Sequence, residues 1–259
     1  RRVSRYLPAG VMKDKLTRWL DQAFAKGRVP RADVRLYGPL QAFPFREDQG
    51  RFRVRGAVED VTLRFHPRWP AIRGARGRVA FDNERIRVTA DGGRYQGATL
   101  QAVDAVIPSI GRGARLRLSL QGQGPANDLL GFVRASPLGA KAPPLFEALR
   151  VDGSVPLSLS MDVPLKRIER GSIRGHVRLS GQAVALRGYP YRLEEVSGTV
   201  GFSERGLHWD GLKGRFAGEP WRSSADTRAA ADGAEIAVAA EFGAAVADLL
   251  PQRPGLAEL

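Results

Sequence analysis

The amino-acid sequence predicts a mainly β, antiparallel fold with few helices. Short segments alternate strictly between apolar and polar residues, turn-forming glycine, aspartate and asparagine stand between them, and one stretch of chain recurs about 120 residues later. Alternation over four to eight residues is typical of strands with one buried and one solvated face. Because the pattern contains no long helices, βαβ units are disfavoured, and a long sheet, a sandwich or a barrel remains.

Taken in chain order, the elements begin with one amphipathic helix over residues about 12–26, which Gly27 would end. The period then changes to two. The clearest strand patterns are at residues 51–55, 61–65, 78–81, 85–89, 115–120, 156–163, 176–180 and 235–240. Short helices are predicted at "NDLLGFVRAS" and "GAAVADLLPQ", each after a run of strands.

The stretch "GRVAFDNERIRVTADGGRYQG", residues 77–97, returns as "GTVGFSERGLHWDGLKGRFAG", residues 198–218. In this register Phe81 matches Phe202, and a later match joins "DLL" at 128–130 to "DLL" at 248–250. We therefore interpret residues 1–259 as one continuous β-repeat segment, with copies at about 50–138 and about 171–259. Stacked repeats that each leave an apolar face for the next copy build an elongated body.

The composition narrows the classes of partner. With 41 Lys+Arg against 27 Asp+Glu the formal net charge is +14, which favours an anionic partner. The arginines are spread through the strands and form no basic block, so nucleic acid is disfavoured. There are no cysteines, which excludes disulfides and thiolate sites. The chain has neither an apolar run of membrane-spanning length nor a leader, and its abrupt ends lead us to expect a segment of a longer protein.

No residue pattern indicates catalysis. The three histidines, His66, His176 and His208, are far apart and have no acidic or histidine neighbour at metal-ligand spacing. There is no Walker loop, nucleophile elbow or H-E-x-x-H motif. We therefore predict no enzyme activity, no cofactor and no metal. What remains is the long apolar face, which fits both an ordinary closed core and an open trough for an apolar ligand, and periodicity alone favours the closed core.

Several irregular stretches resemble, in order and spacing, the middle region of the YhdP family of AsmA-like proteins of Gram-negative bacteria. They are "YLPAGVM", "GRVPRADVRLYGPLQAFPF", "GRFRVRGAVEDVTLRFHPRWPAIRGARGRVAFDNERI", "VIPSI" and "RASPL". The resemblance implies an elongated, antiparallel, repeating β-groove: an open, twisted sheet with a few short helices. It also implies an inner-membrane-anchored protein whose periplasmic part carries phospholipids towards the outer membrane, with acyl chains in the groove. The membranes would be reached through parts outside this segment.

This resemblance favours the open trough over the closed core. We expect the alternating apolar residues of the strands to line the trough. The expected lining residues are Val54, Leu63, Phe65, Val79, Phe81, Ile86, Val88, Leu116, Leu118, Val200 and Phe202. Trp69 and Pro70 are expected to cap an edge, and Phe43 and Phe45 to form a packing corner. The alternatives are a non-catalytic scaffolding β-repeat of the cell envelope that binds a protein or anionic partner, and an extracytoplasmic polyanion-binding or glycan-processing domain.

Overall fold

The computed structural model describes residues 24–47, 49–64, 69–111, 113–136, 145–167, 170–230 and 233–243, which form one antiparallel sheet of 13 strands. The strands are β1 Phe24–Tyr37, β2 Arg51–Leu63, β3 Ile72–Asp82, β4 Arg85–Tyr95, β5 Ala98–Ile107, β6 Arg115–Pro125, β7 Leu149–Val151, β8 Ser154–Pro164, β9 Ser172–Leu186, β10 Arg192–Ser203, β11 Gly206–Phe216, β12 Glu219–Ala230 and β13 Gly233–Phe242.

Strand order in the sheet follows strand order in the chain, except that β8 is the neighbour of β6 and the short β7 pairs only with β9. Each long strand thus turns back beside its predecessor, as in a meander, and successive connections alternate between the two rims of the sheet. Within the described residues no second sheet packs on this one. The predicted mainly β, open antiparallel fold is therefore confirmed, and the sandwich and barrel are not formed.

Within the described residues, helix is confined to a 3-10 turn at Leu40–Ala42, helix α1 at Ala126–Arg134 and the single turn α2 at Leu145–Ala148. Most of the helix predicted over residues 12–26 lies outside the described residues, as does the predicted helix "GAAVADLLPQ" after Gly243. The prediction is wrong for residues 24–26, which belong to β1. Phe24 is paired with Leu63, so a long-range ladder overrides the local helical pattern.

The strands of the two predicted copies correspond one to one, from β2–β6 to β9–β13. The β3–β4 turn at 83–84 corresponds to the β10–β11 turn at 204–205, which lies 121 positions further along the chain. Irregular backbone recurs with the same offset. Residues with positive φ occur in matching pairs: Asp60 and Gly181, Gly74 and Glu195, and Gln96 and Ala217. The first two pairs lie where the ladders shift register, so both copies carry bulges at the same places.

Equivalent hydrogen bonds connect the matching turns to the neighbouring strand in each copy. The Phe52 N–H donates to Asn83 Oδ1 at 2.8 Å, and Asn83 N–H donates back to the Phe52 carbonyl at 2.7 Å. In the second copy the Ile173 N–H donates to Glu204 Oε2 at 2.8 Å, and Glu204 N–H donates to the Ile173 carbonyl at 3.2 Å. In each copy a turn side chain therefore fastens the start of the strand that precedes the hairpin, β2 or β9.

We expect Asn83→Ala to destabilise the fold by about 2 kcal/mol in urea unfolding. The change leaves the Phe52 N–H and the Phe45 carbonyl, which accepts from Asn83 Nδ2 at 3.2 Å, without their partner, and it places alanine at φ 50°. Asn83→Gly is the control, because glycine accepts that φ and isolates the lost hydrogen bonds. An alanine variant as stable as the parent would show that this turn does not fasten the strand.

We expect Glu204 to make the free energy of unfolding depend on pH. Burial raises the pKa of Glu204, but the hydrogen bonds from the Ile173 N–H and its own N–H, together with the charges of Arg205 and Arg174, lower it by more, so the pKa lies below the ordinary value. A lowered carboxyl pKa contributes stability above the unfolded pKa, and this contribution is lost as pH falls through the folded pKa.

The stability advantage of the parent over Glu204→Gln should therefore be present at pH 7 and decrease as the pH falls below the range in which an ordinary glutamate titrates. Urea midpoints at pH 7, 5 and 3 measure it. Glu195→Gln serves as control, because the Glu195 carboxylate accepts no hydrogen bond from the described residues. An advantage that stays constant with pH would contradict the assignment.

Candidate functional site

Alternate side chains of the strands form one continuous apolar face, which we call the inner face. Directly opposed residues in antiparallel strands point to the same side of the sheet, so the pairing itself traces this face. One row crosses β1 to β5 through Val34, Val54, Phe81, Ile86 and Ile107. Every member of this row is apolar, as the alternation in the sequence requires.

Two further rows continue the inner face to the other edge of the sheet. The second row runs from β2 to β11 through Val58, Gly77, Ala90, Val103, Leu120, Leu159, Gly175, Phe202 and Leu207. The third runs from β5 to β13 through Leu100, Gly122, Leu157, Val177, Val200, Trp209, Ala225 and Val238. At about 4.8 Å between strands, the overlapping rows extend about 50 Å across the sheet.

The lining residues predicted from the sequence lie on this face wherever the structure describes them. Val54, Phe81, Ile86, Val200 and Phe202 are members of the rows. Val79 is opposite Val88, Leu118 is opposite Ala105 and Met161, Leu116 is opposite Val163, and Leu63 is opposite Ile72. Phe65 lies outside the described residues. Their role in lining a groove stays a prediction.

The loop at residues 38–50, which we call the aromatic loop, folds onto the inner face of β2 to β4. Phe45 and Phe52 are each 1% exposed, and the Phe43 ring contacts both of them edge-on at 5.8 and 5.3 Å. Phe81 and Ile86, each 7% exposed, are packed into the same cluster. These two predicted lining residues are therefore covered by the protein's own side chains, and the expected packing corner of Phe43 and Phe45 is the cover.

Polar contacts hold the aromatic loop in place. Arg46 donates from Nε to Glu84 at 3.1 Å and from Nη2 to the Ile110 carbonyl at 3.0 Å, which ties the loop to the turns after β3 and β5. At Gly50 a Cβ would come within 2.4 Å of the Tyr37 carbonyl and 2.7 Å of the Phe45 ring. The loop therefore needs glycine at this position in order to close down on the sheet.

Helix α1 covers a second part of the inner face, at the opposite rim, while β7 extends the sheet beside β9. Leu129 and Leu130 pack against a buried cluster that includes Val151, Val155 and Val196. The Asp128 carboxylate accepts the Gly97 N–H at 2.8 Å, which anchors the start of the helix to the β4–β5 turn. Phe132 of the same helix contacts Trp69 and Tyr95, with ring centroids 5.8 and 5.0 Å apart.

Between these two covers lies an uncovered part of β6 and β8, which we call the open stretch. It consists of Leu116, Leu118, Leu120, Leu159 and Met161. All five are only half-buried and belong to neither buried cluster, whereas Val155 on the same face of β8 is 2% exposed beneath the second cover. The open stretch is thus an apolar surface that the described part of the chain leaves accessible.

Sequence reasoning selected Leu116 and Leu118 for this surface but missed Leu159 and Met161. The alternation of residues 156–163 predicts their strand, and the apolar positions of that strand were the signal that could have identified both residues. Sequence reasoning did not see that β8 lies beside β6, because an excursion of 28 residues through α1, α2 and β7 separates Pro125 from Ser154. Only the sheet order brings Leu118 opposite Met161.

The outer face carries the alternating arginines, and several of them pair with aspartates on the next strand. Arg87 donates two hydrogen bonds to Asp104, at 3.0 and 2.7 Å, and Arg115 donates to Asp162 at 2.7 Å. The hydrogen bond to Asp104 and the attraction of its charge raise the pKa of Arg87. The pleat therefore separates an apolar inner face from a charged outer face along the whole sheet.

The described residues bring no three His, Asp or Glu side chains together in a group that could hold a metal ion. In the same part of the chain, no helix has the length and apolarity that crossing a bilayer requires. The sheet therefore offers surfaces for non-covalent binding, namely a long apolar inner face and, on its other side, a solvated and basic outer face.

Comparison with known proteins identifies the family. The intermembrane phospholipid transporter YhdP of Escherichia coli (strain K12) is 25% identical over 234 residues. The match covers 90% of this chain but only 18% of the relative's length. No solved structure matches this chain. The family profile described as "YhdP protein" matches residues 1–257, so this chain, with its long one-sided sheet, belongs to the YhdP family.

Proposed function

We propose that this chain is the periplasmic segment of an inner-membrane-anchored protein that carries phospholipids between the inner and outer membranes of a Gram-negative cell. The acyl chains would lie along the inner face while the headgroup stays in water. The observation that carries the proposal is the set of overlapping apolar rows, which reach from β1 to β13 and leave the open stretch accessible. The name of the E. coli relative supports the same cargo.

A continuous track is a physical requirement for this cargo. Each methylene transferred from hydrocarbon into water costs about 0.8 kcal/mol, so exposing even five methylenes in a gap would cost about 4 kcal/mol. The first and second rows overlap at β2 to β5 and the second and third at β5 to β11, so one row continues where another ends. On this proposal the protein needs no catalytic group and no cofactor, because the lipid is moved without being changed.

One observation favours the alternative of a scaffolding β-repeat with a filled core. The aromatic loop and α1 place the protein's own side chains on the inner face. The two functions differ in what they bind. Mass spectrometry of gently purified protein should find bound phospholipid if the open stretch is a lipid site and none if the face is only a core.

The central test is Leu118→Asp in the intact chain. A carboxylate on the open stretch must either enter hydrocarbon or keep the acyl chain away, which costs several kcal/mol. We expect at least a tenfold loss of bound phospholipid and of phospholipid transfer between vesicles. Ser119→Asp is the matched control, because Ser119 is the next residue of β6 and lies on the outer face, opposite Ser160.

Circular dichroism should show unchanged β content in both variants, and Leu159→Asp repeats the test on the neighbouring strand. Full lipid binding by Leu118→Asp and Leu159→Asp would end the proposal that the open stretch carries acyl chains.

The absence of cysteine from the sequence permits a direct measure of accessibility. We expect a single cysteine at Leu118 to react with a small apolar maleimide at least tenfold faster than a cysteine at Ile86, because the aromatic loop covers Ile86. Adding phospholipid vesicles should slow labelling at Leu118 and leave a Ser119→Cys control unchanged. Equal protection of Leu118 and Ile86 in the absence of lipid would show that the open stretch is closed in solution.

A further inference from the structure

The outer face of β2 to β4 carries five arginines that we call the arginine patch: Arg55, Arg73, Arg76, Arg78 and Arg94. All five are exposed, and none of their guanidinium groups has an ion pair or hydrogen bond to another described residue, although Asp33 lies opposite Arg55 on β1. This distinguishes them from Arg53, Arg87 and Arg115 on the same face, each of which pairs with an aspartate.

The ladder holds the patch together as a dense field of like charge. Arg73 lies directly opposite Arg94, and Arg76 lies opposite Gly92, with its guanidinium about 3.5 Å from where a Cβ of Gly92 would be. Arg76 and Arg78 are two residues apart on β3, which places them about 7 Å apart on one face. Like charges directly opposite each other destabilise a sheet, so the fold alone does not favour this arrangement.

The second copy shows that the backbone does not need these arginines. At the matching positions it has His176, Glu194, Ser197, Thr199 and Arg215. There Glu194 lies directly opposite Arg215, where the first copy opposes Arg73 to Arg94. The five positions therefore carry a formal charge of five in the first copy and zero in the second.

Other basic residues of the second copy are partly balanced by neighbouring acids. Lys213 lies opposite Arg222, but Arg222 has Glu241 opposite it on its other side. Both copies present the same strands and turns to water, so a general need for solubility does not explain the difference. The charge of the arginine patch is a property of the first copy alone.

The chemistry of the patch indicates its partner. Guanidinium groups bind phosphate oxygens in pairs of parallel hydrogen bonds, and a flat field of them suits a surface dense in phosphate. The residues between the arginines are small, namely Ala57, Ala80, Thr89 and Gly92. In the described part of β2 to β4, no aromatic or large aliphatic side chain stands among them to anchor a protein partner, which disfavours a protein interface.

We propose that the arginine patch docks this part of the sheet onto the phosphate headgroups of an anionic lipid surface. The inference does not rest on lipid transport, because docking uses the outer face and transport would use the inner one. Each arginine close to an anionic bilayer contributes about 1 kcal/mol, so losing three should weaken binding about 100-fold.

The test compares two variants of the intact chain with equal loss of charge. The patch variant is Arg73→Gln, Arg76→Ser, Arg78→Thr, and the control variant is Arg174→Ser, Arg178→Thr, Lys213→Gln, whose basic residues lie on the outer face of β9 and β11. Co-sedimentation at 50 and 200 mM salt uses vesicles of phosphatidylglycerol mixed with phosphatidylcholine, and vesicles of phosphatidylcholine alone. Inorganic phosphate and polyglutamate are added as competitors.

We expect the parent and the control variant to bind the phosphatidylglycerol vesicles within threefold of each other, and the patch variant to bind about 100-fold more weakly. Leu118→Asp should still bind the vesicles, which separates docking from the acyl-chain site. Equal losses in the two triple variants would overturn the proposal, because net charge alone would then explain binding. So would tighter binding of polyglutamate than of vesicles, or complete displacement by millimolar inorganic phosphate.

Discussion

The structure depends on the two-residue pleat of a single antiparallel sheet. Because successive side chains point to opposite sides, each strand separates its apolar residues from its charged ones, and neighbouring strands repeat the separation in register. The described part of the chain has no second sheet to cover the result. An apolar face about 50 Å long therefore remains for loops, a helix or a ligand to cover.

The bulges preserve this separation. A slip of one residue would turn every apolar side chain outwards, yet β2 and β3 both contain an extra residue, near Asp60 and Gly74. In each strand the apolar residues on both sides of the bulge stay on the inner face, as the opposed pairs Val58–Gly77 and Val61–Ala75 show. The second copy repeats these features at Gly181 and Glu195, so the local twist they introduce is shared by the two copies.

The inner and outer faces of the sheet differ in what covers them and in how their charges are paired. On the inner face, aromatic and aliphatic side chains of the aromatic loop and α1 bury part of the apolar surface and leave the open stretch between them. On the outer face, cross-strand ion pairs balance most arginines near β5, β6 and β8, whereas the arginines of the arginine patch form no ion pair within the described residues, and Arg55 has Asp33 opposite it. On the two proposals, cargo and docking use opposite faces of the sheet and different strands, β6 and β8 for the open stretch and β2 to β4 for the arginine patch, so changes in one need not disturb the other.

The sequence by itself determined which side chains share a face, because alternation is a local pattern. Val79 and Phe81 could be placed on one face of their strand and Arg78 on the other without any knowledge of the fold. The repeat extended the same assignment to Val200 and Phe202. The order of irregular motifs was enough to indicate the family. Only the tertiary structure decided that residues 24–26 extend a strand, that Met161 lies opposite Leu118, and that the aromatic loop covers Phe81 and Ile86. Each of these depends on contacts between residues far apart in the chain, whose free energy no local pattern contains.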